Sequence, residues 1–281
     1  KNPLDRVRNQ EPSARRMDVA CQQIDMQLNV KGKQVTVGQI DLRGQTRLIQ
    51  SQNDADQTKT FDIAANAIRI LDRDGRGSHV LVAVGSPVDI RTDKFTMKTA
   101  KLQLDRADNR LWTDGAGRMT MLIDRDLNNR RPLAVPQQAT LDWQDKMHFD
   151  GQLASFHGNV DVRAPQRRLR ATRLAVQLDR RIDFMKSDSN QRPEISTMQA
   201  DGNVLVENRE LDDQSQLVSI SYMQVPHVRY DHLAGDMFAE GPGRVVTHRE
   251  GFSGMELPGA PKADRPPAPT DGKVTFLQVD F

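Results

Sequence analysis

At 281 residues the chain is long enough to bury a core, yet 37% hydrophobic and 5% aromatic content is lean for a thick globule. A mean hydropathy of −0.66 suits a thin sheet with one apolar and one wet face. Lys and Arg (40) and Asp and Glu (38) nearly cancel to +2, so no global field calls for nucleic acid.

Cys21 is the sole cysteine, which excludes an intramolecular disulfide and leaves the redox compartment undecided. Asp18-Val19-Ala20 lacks the apolar residue of a lipobox and no apolar region lies upstream, so Cys21 is not read as a lipoprotein cysteine. The longest clear apolar run, from Val80 to Val84, falls far short of a membrane span. Lys1-Asn2-Pro3 carries neither an initiator methionine nor a signal peptide, and the chain reads as a processed or excised piece.

In chain order, residues 1–16 form an arginine-rich, irregular lead-in, and from Met17 the pattern turns to period two. Ile24, Met26, Leu28 and Val30 alternate with polar residues up to a turn at Lys31-Gly32-Lys33; Val35, Val37, Ile40 and Leu42 return. Phe61, Ile63, Ile68 and Ile70 come next, then a turn at Asp72–Gly75 and one face made of Val80, Val82 and Val84. The clearest hairpin takes Phe95, Met97, Leu102 and Leu104 through Asp105–Asn109 to Leu111. Residues 17–123 thus make a first β-repeat block and 124–138 a polar loop. A second block covers 139–250, a proline-rich linker 251–273, and 274–281 begins a further, truncated repeat.

Two phrases recur in the second block, Gly158-Asn159-Val160-Asp161-Val162 and Gly202-Asn203-Val204-Leu205-Val206. Each reads as a bend or bulge that feeds a half-buried strand. Apolar residues in alternation follow, with Leu174, Val176 and Leu178 after the first and Val218, Ile220 and Tyr222 after the second. At a longer range Gly115-x-Gly117-Arg118 matches Gly241-x-Gly243-Arg244, 241 − 115 = 126 residues apart. Repetition on this scale points to an array. With no capped i, i+3, i+4 apolar pattern, the fold class expected is all-β: an extended antiparallel meander sheet built from repeated hairpins.

These phrases carry a family resemblance. Gly158–Val162 followed by Leu169-Arg170-Ala171 and Leu174–Asp179 resembles the OstA-like family of lipopolysaccharide-transport proteins. So do Asp201–Val204, and Val228–Asp231 with Ala239-Glu240-Gly241. The resemblance implies an open β-taco or β-jellyroll whose apolar inner face is a groove for lipid or lipopolysaccharide acyl chains. It implies a place in the periplasm or at the outer membrane, and partners that are other envelope β-jellyroll proteins or further copies joined by edge-strand pairing. No enzyme activity and no cofactor are expected.

On that basis the groove candidates are Leu102, Leu104, Leu111, Val160, Val162, Leu174, Val176, Leu178, Val204, Val206, Val218 and Ile220. The residues alone favour a closed sandwich core made by the same side chains. Arg168, Arg170 and Arg173 are candidates for a lipid head group, since arginine binds phosphate bidentately. Against this, Arg168 and Arg170 alternate with Leu169 and Ala171, as an outward face does, and the parity slip between Ala171 and Leu174 marks a bulge near Arg173. His227, Asp231 and His232 do not make a metal site, because residues five apart on a strand face opposite ways. The Gly-x-Gly phrases at 75/77, 115/117 and 241/243 lack the third glycine and helix of a phosphate loop and read as bends. Two rivals remain: a structural or adhesion β-scaffold with a dry core, and a polysaccharide-acting β-solenoid, which the hairpin-like turns disfavour.

Overall fold

The computed structural model describes residues 15–54, 57–72, 79–93, 95–125, 132–182, 193–212, 214–232, 234–250 and 274–281. The expected turn at 72–75 (beyond Asp72), the lead-in up to residue 14 and the linker 251–273 lie outside them. All regular structure among the described residues is strand. The first eight strands are β1 (Arg15–Ala20), β2 (Gln23–Lys31), β3 (Gln34–Asp54), β4 (Gln57–Asp72), β5 (His79–Thr92), β6 (Phe95–Asp105), β7 (Arg110–Arg125) and β8 (Pro132–Trp143). The rest are β9 (Lys146–Phe149), β10 (Leu153–Ala164), β11 (Arg167–Leu178), β12 (Ile195–Leu211), β13 (Leu217–Asp231), β14 (Asp236–Glu240), β15 (Arg244–Glu250) and β16 (Val274–Asp280).

These 16 strands form one antiparallel meander, in the order β1-β3-β4-β5-β6-β7-β8-β10-β11-β12-β13-β15-β16. Strand β2 extends the sheet beside β3, β9 bridges β7 and β10, and β14 pairs with β13. The sheet therefore runs without a break from the first repeat block into the second. The polar stretch at 124–138 is shorter as a connection than its composition suggests: β7 reaches Arg125, and β8 begins at Pro132 and pairs back onto it. Pro136 is tolerated because the outer part of β8 has β7 as its one neighbour; β10 pairs only with Thr140, Leu141 and Asp142.

A single line of bulges crosses the sheet. Register shifts fall at Gly44-Gln45 in β3, Asn66 in β4, Gly85–Pro87 in β5, Ala100 in β6 and Gly115-Ala116 in β7. They continue through the break between β8 and β9, then Gly158-Asn159, Ala171-Thr172, Gly202-Asn203, Pro226 and the gap between β14 and β15. In the two recurring phrases both residues are left-handed: Gly158 and Asn159 have φ of 81° and 42°, Gly202 and Asn203 of 77° and 51°. Glycine takes that conformation without a Cβ penalty, and asparagine tolerates it better than other side chains. A bulge bends its strand, and bulges stacked from strand to strand fold the whole sheet along one crease.

The crease creates two limbs. The upper limb holds 34–43 of β3 and the segments that pair beyond it to β14; the lower limb holds β1, the second half of β3 and the segments out to β16. On the inner face of the lower limb, Val19, Leu48, Ile63, Ile90, Met97, Met119, Leu141, Val162, Leu169, Val206, Met223, Val245 and Val279 are successive cross-strand partners. The upper limb answers with Ile24, Leu42, Ile68, Ala83, Leu102, Thr113, Met147, Phe156, Leu174, Ala200, Val228 and Ala239. Thr113, the one polar member, accepts a hydrogen bond from the Met147 amide at 3.2 Å.

Ile63, Ala83, Leu102 and Val204 are 0% exposed. A face of a single sheet reaches that value only when something covers it, and here each limb covers the other, as Trp143 of the lower limb does against Phe156 of the upper with ring centroids 5.5 Å apart. Each buried isoleucine, leucine or valine of this set contributes about 1.5–3 kcal/mol by leaving water, and Ala83 less. The result is an all-β jellyroll of the folded, taco-like kind. Val80, Val82 and Val84 do share a face, but the outer one; the core takes Leu81 and Ala83 between them.

Candidate functional site

The cleft between the limbs is the candidate site, and it is not uniform. From β3 to β6 it is shut: Leu48, Ile63, Ile90 and Met97 are all buried, as are Leu102 and Leu104 opposite. From β10 onward the lower-limb row is half-buried at Val162, Leu169, Val206 and Val245, with Met223 among them buried, and the tip row of the upper limb is half-buried at Val176, Met198 and Tyr230. The last strand ends the row in the open, with Val279 46% exposed. At the opposite edge the inner faces of β2 and β3 are uncovered, Met26 at 57% and Val30 at 67%. The apolar rows thus run from edge to edge, sealed in the middle and bare at both ends.

The sequence candidates divide along this gradient. Leu102, Leu104, Val160, Leu174 and Val204 form the buried floor. Leu111, Val162, Val176, Leu178 and Val206 are half-buried walls. Val218 and Ile220 are not part of the cleft. Val204 and Val206 pair with Val225 and Met223, which puts the odd-numbered residues of this half of β13 inside and turns Val218 and Ile220 outward, Ile220 beside Arg209. Alternation alone misled here, because Leu217, Val218, Ile220 and Met223 put apolar residues on both parities.

The arginines lie on the other side of the sheet from the cleft. Arg168 and Arg170 sit outward on the lower limb, and Arg173 outward on the upper limb past the bulge between Arg170 and Arg173. Arg168 is bound bidentately to Asp161 at 2.9 and 2.8 Å. Around it Arg118 holds Asp142 at 2.6 Å, and Arg163 bridges Asp142 and Asp161. Asp142 and Asp161 are direct cross-strand partners, so these arginines offset the repulsion between two neighbouring carboxylates. A head group above acyl chains in the cleft would not meet them. Beside this network, a shallow outer depression of about 660 Å³ is lined by Arg170, Asn203, Gln224 and the two aspartates.

The Arg168 hydrogen bonds hold the Asp161 carboxyl below its usual range, against the opposing effect of partial burial, with the charges of Arg168, Arg163 and Arg170 adding to the depression. A depressed folded value means stability that is complete above the ordinary carboxylate pKa of about 3.9 and lost as pH falls through the folded value. Asp161→Asn is therefore expected to lower the thermal midpoint at pH 7 and to shrink the further drop between pH 5 and pH 3. Scanning calorimetry at the three pH values checks both.

His227 Nδ1 lies 2.5 Å from Asp201 Oδ1, its cross-strand partner on the outer face. His232 turns instead toward the Tyr230 ring, at 5.9 Å between centroids. No group of three metal-binding side chains occurs among the described residues. Gly115-x-Gly117 and Gly241-x-Gly243 both lie on the crease, as bends.

One residue that composition does not single out is Arg106. It lies in the turn of the β6–β7 hairpin, at the tip of the upper limb, and its guanidinium donates to Gln50 Oε1 of the lower limb at 2.8 Å. The sequence marks Asp105–Asn109 as a turn; only the crease brings that turn over β3. No family model and no curated protein matches the chain.

Proposed function

We propose that the chain is a non-enzymatic cell-envelope protein of the OstA-like kind, which binds or passes lipid along its inner apolar face at the periplasmic or outer-membrane side. The observation that carries this reading is the pair of apolar rows that span the sheet, one from β1 to β16 and one from β2 to β14, exposed at Ile24 and Met26 at one edge and at Val279 at the other. Bare apolar edges invite pairing, which suits a row that continues into a neighbouring β-jellyroll. An acyl chain gains about 0.8 kcal/mol for each methylene it buries, so a strip of valine, leucine and methionine needs no specific polar contact to hold it. Lipid or lipopolysaccharide acyl chains are the ligand class, and other β-jellyroll proteins or further copies are partners through the edge strands.

A specific observation favours a second reading, an envelope scaffold with no ligand: the middle of the cleft is packed dry. Native mass spectrometry of the full chain mixed with palmitate micelles separates the two. Lipid-bound species in stoichiometric amount are expected from the first reading. A chain that stays free of palmitate at saturating concentration overturns it and leaves the scaffold.

A further inference from the structure

We propose that the Arg106–Gln50 bridge is a latch that holds the middle of the cleft shut and divides its two open ends. This rests on the reading of the cleft as a lipid path and adds a gate to it. The hydrogen bond, 2.8 Å long, joins the turn of the β6–β7 hairpin on the upper limb to β3 on the lower, 56 residues away in the chain, directly over the stretch where the walls are buried.

The hairpin that carries Arg106 is itself pinned. The Arg106 amide donates to the His79 carbonyl at 3.2 Å, the Asp108 amide to Asp105 Oδ1 at 3.1 Å, and the Asn109 side chain to the Ile182 carbonyl. Asp105 and Asn109 are buried polar residues and Asn109 is left-handed, at φ 56°. This is more fixing than a two-strand turn needs, and its effect is to present one guanidinium across the mouth. On the facing limb Gln50 sits beside Phe61 on the inner face, so the acceptor is at the rim of the same dry section. Beyond the latch, toward β10–β16, the floor stays buried while the walls at Val162, Leu169, Val176 and Val206 are half-buried. A chain lodged at the β16 end therefore advances past β6 only when this bridge parts.

The test uses the full chain with Phe61 or Tyr230 replaced by a benzophenone amino acid, both aromatic positions half-buried on the inner face, one beside the latch and one in the open half. Each is irradiated with palmitate micelles in the parent, Arg106→Ala and Gln50→Ala backgrounds. Loss of one such hydrogen bond raises the open-to-shut ratio roughly three- to tenfold. Capture at position 61 is expected to rise by that factor in both variants, with capture at position 230 unchanged. Equal capture at position 61 in parent and variants, while position 230 captures normally, overturns the latch and spares the lipid reading. No capture at either position overturns the lipid path and the gate with it.

A ligand-free measurement covers the case of a variant that folds poorly. Nitroxide labels at Ala107 and Thr96, exposed positions on the two limbs, are introduced as cysteines with Cys21→Ser. A narrow distance distribution that broadens toward longer values in Gln50→Ala supports the latch; an unchanged distribution contradicts it.

Discussion

Gly117→Val is expected to destabilise the protein by about 2–3 kcal/mol, the upper part of what overpacking costs. A Cβ at this position would stand 2.1 Å from Trp143 Cζ2 and 2.6 Å from Cε2, on the indole face rather than at a flexible tip. Trp143 cannot retreat, since it is 1% exposed and packed at a tilt of 55° against the Phe156 ring from the other limb. Gly117 and Trp143 are cross-strand partners beside the crease, so the strain falls where both limbs meet. The indole Nε1 is buried without a hydrogen-bond partner. Trp143→Phe thus removes an unsatisfied donor along with ring area, and is expected to stay within about 1 kcal/mol of the parent, against about 3–5 for Trp143→Ala. In the double variant Gly117→Val with Trp143→Ala the losses should fall well short of additive, because the alanine vacates the volume the valine needs. Urea denaturation of the four variants measures the cycle; additivity would mean that the glycine is not there for the indole. Near the far edge Gly243 exchanges two backbone hydrogen bonds with Phe281, and a Cβ there would stand 2.4 Å from Val225 Cγ1 and 3.0 Å from the Phe281 ring.

How much of this was legible in the sequence depends on the residue. Period-two alternation exposes strands and their inner face wherever one parity is apolar and the other polar, as in Ile24–Val30 or Leu102–Leu104. The crease was half legible. Where a strand crosses it with two left-handed residues, glycine and asparagine advertise the bend, at Gly158-Asn159 and Gly202-Asn203. Where the neighbour crosses with a single extra residue, that residue is ordinary: Asn66, Ala100, Thr172 or Pro226. Such a residue betrays the bend only through the parity slip around it, which is readable between Ala171 and Leu174. Its side chain fills space the glycines leave, as Thr172 does beneath Gly202, where a Cβ would come within 2.6 Å of its Oγ1. At Pro226, where apolar residues occupy both parities on the N-terminal side, the flip passes unread. That is why Val218 and Ile220, on the even parity of Val228, read as core while Met223 and Val225 fill it on the other side of Pro226. The head-group reading of Arg168 and Arg170 rests instead on arginine's affinity for phosphate, against an alternation that already points them outward. The gradient from sealed middle to bare ends was not legible at all. Leu48 and Val279 occupy the same row with the same chemistry, and only the position of a strand within the sheet decides whether the opposite limb reaches it.

That gradient makes the effect of one substitution depend on where along the row it is placed. Leu102→Arg puts a guanidinium where nothing is exposed, in the buried row it shares with Ala83 and Phe156, and removing a charge from water without a partner costs several kcal/mol, a large share of the 5–15 kcal/mol that holds a domain together. No folded product is expected: the far-ultraviolet strand signal and the cooperative melt should both be absent. Val206→Arg changes the same chemistry on a half-buried wall, between Leu169 and Met223, where a long side chain can bury its methylenes and lift its charge to the mouth. The fold is expected to survive with a loss of about 1–2 kcal/mol. Palmitate binding is expected to fall at least about tenfold, because the charge and its water now stand on the strip where two or more methylenes would be buried. Titration of the variant and the parent with palmitate, after a melt has verified that both are folded, reads the effect. A folded Val206→Arg protein that binds as the parent does would remove the open half of the cleft as a lipid site and leave the sheet as a scaffold; a folded Leu102→Arg protein would mean that the sealed middle parts more readily than its packing implies.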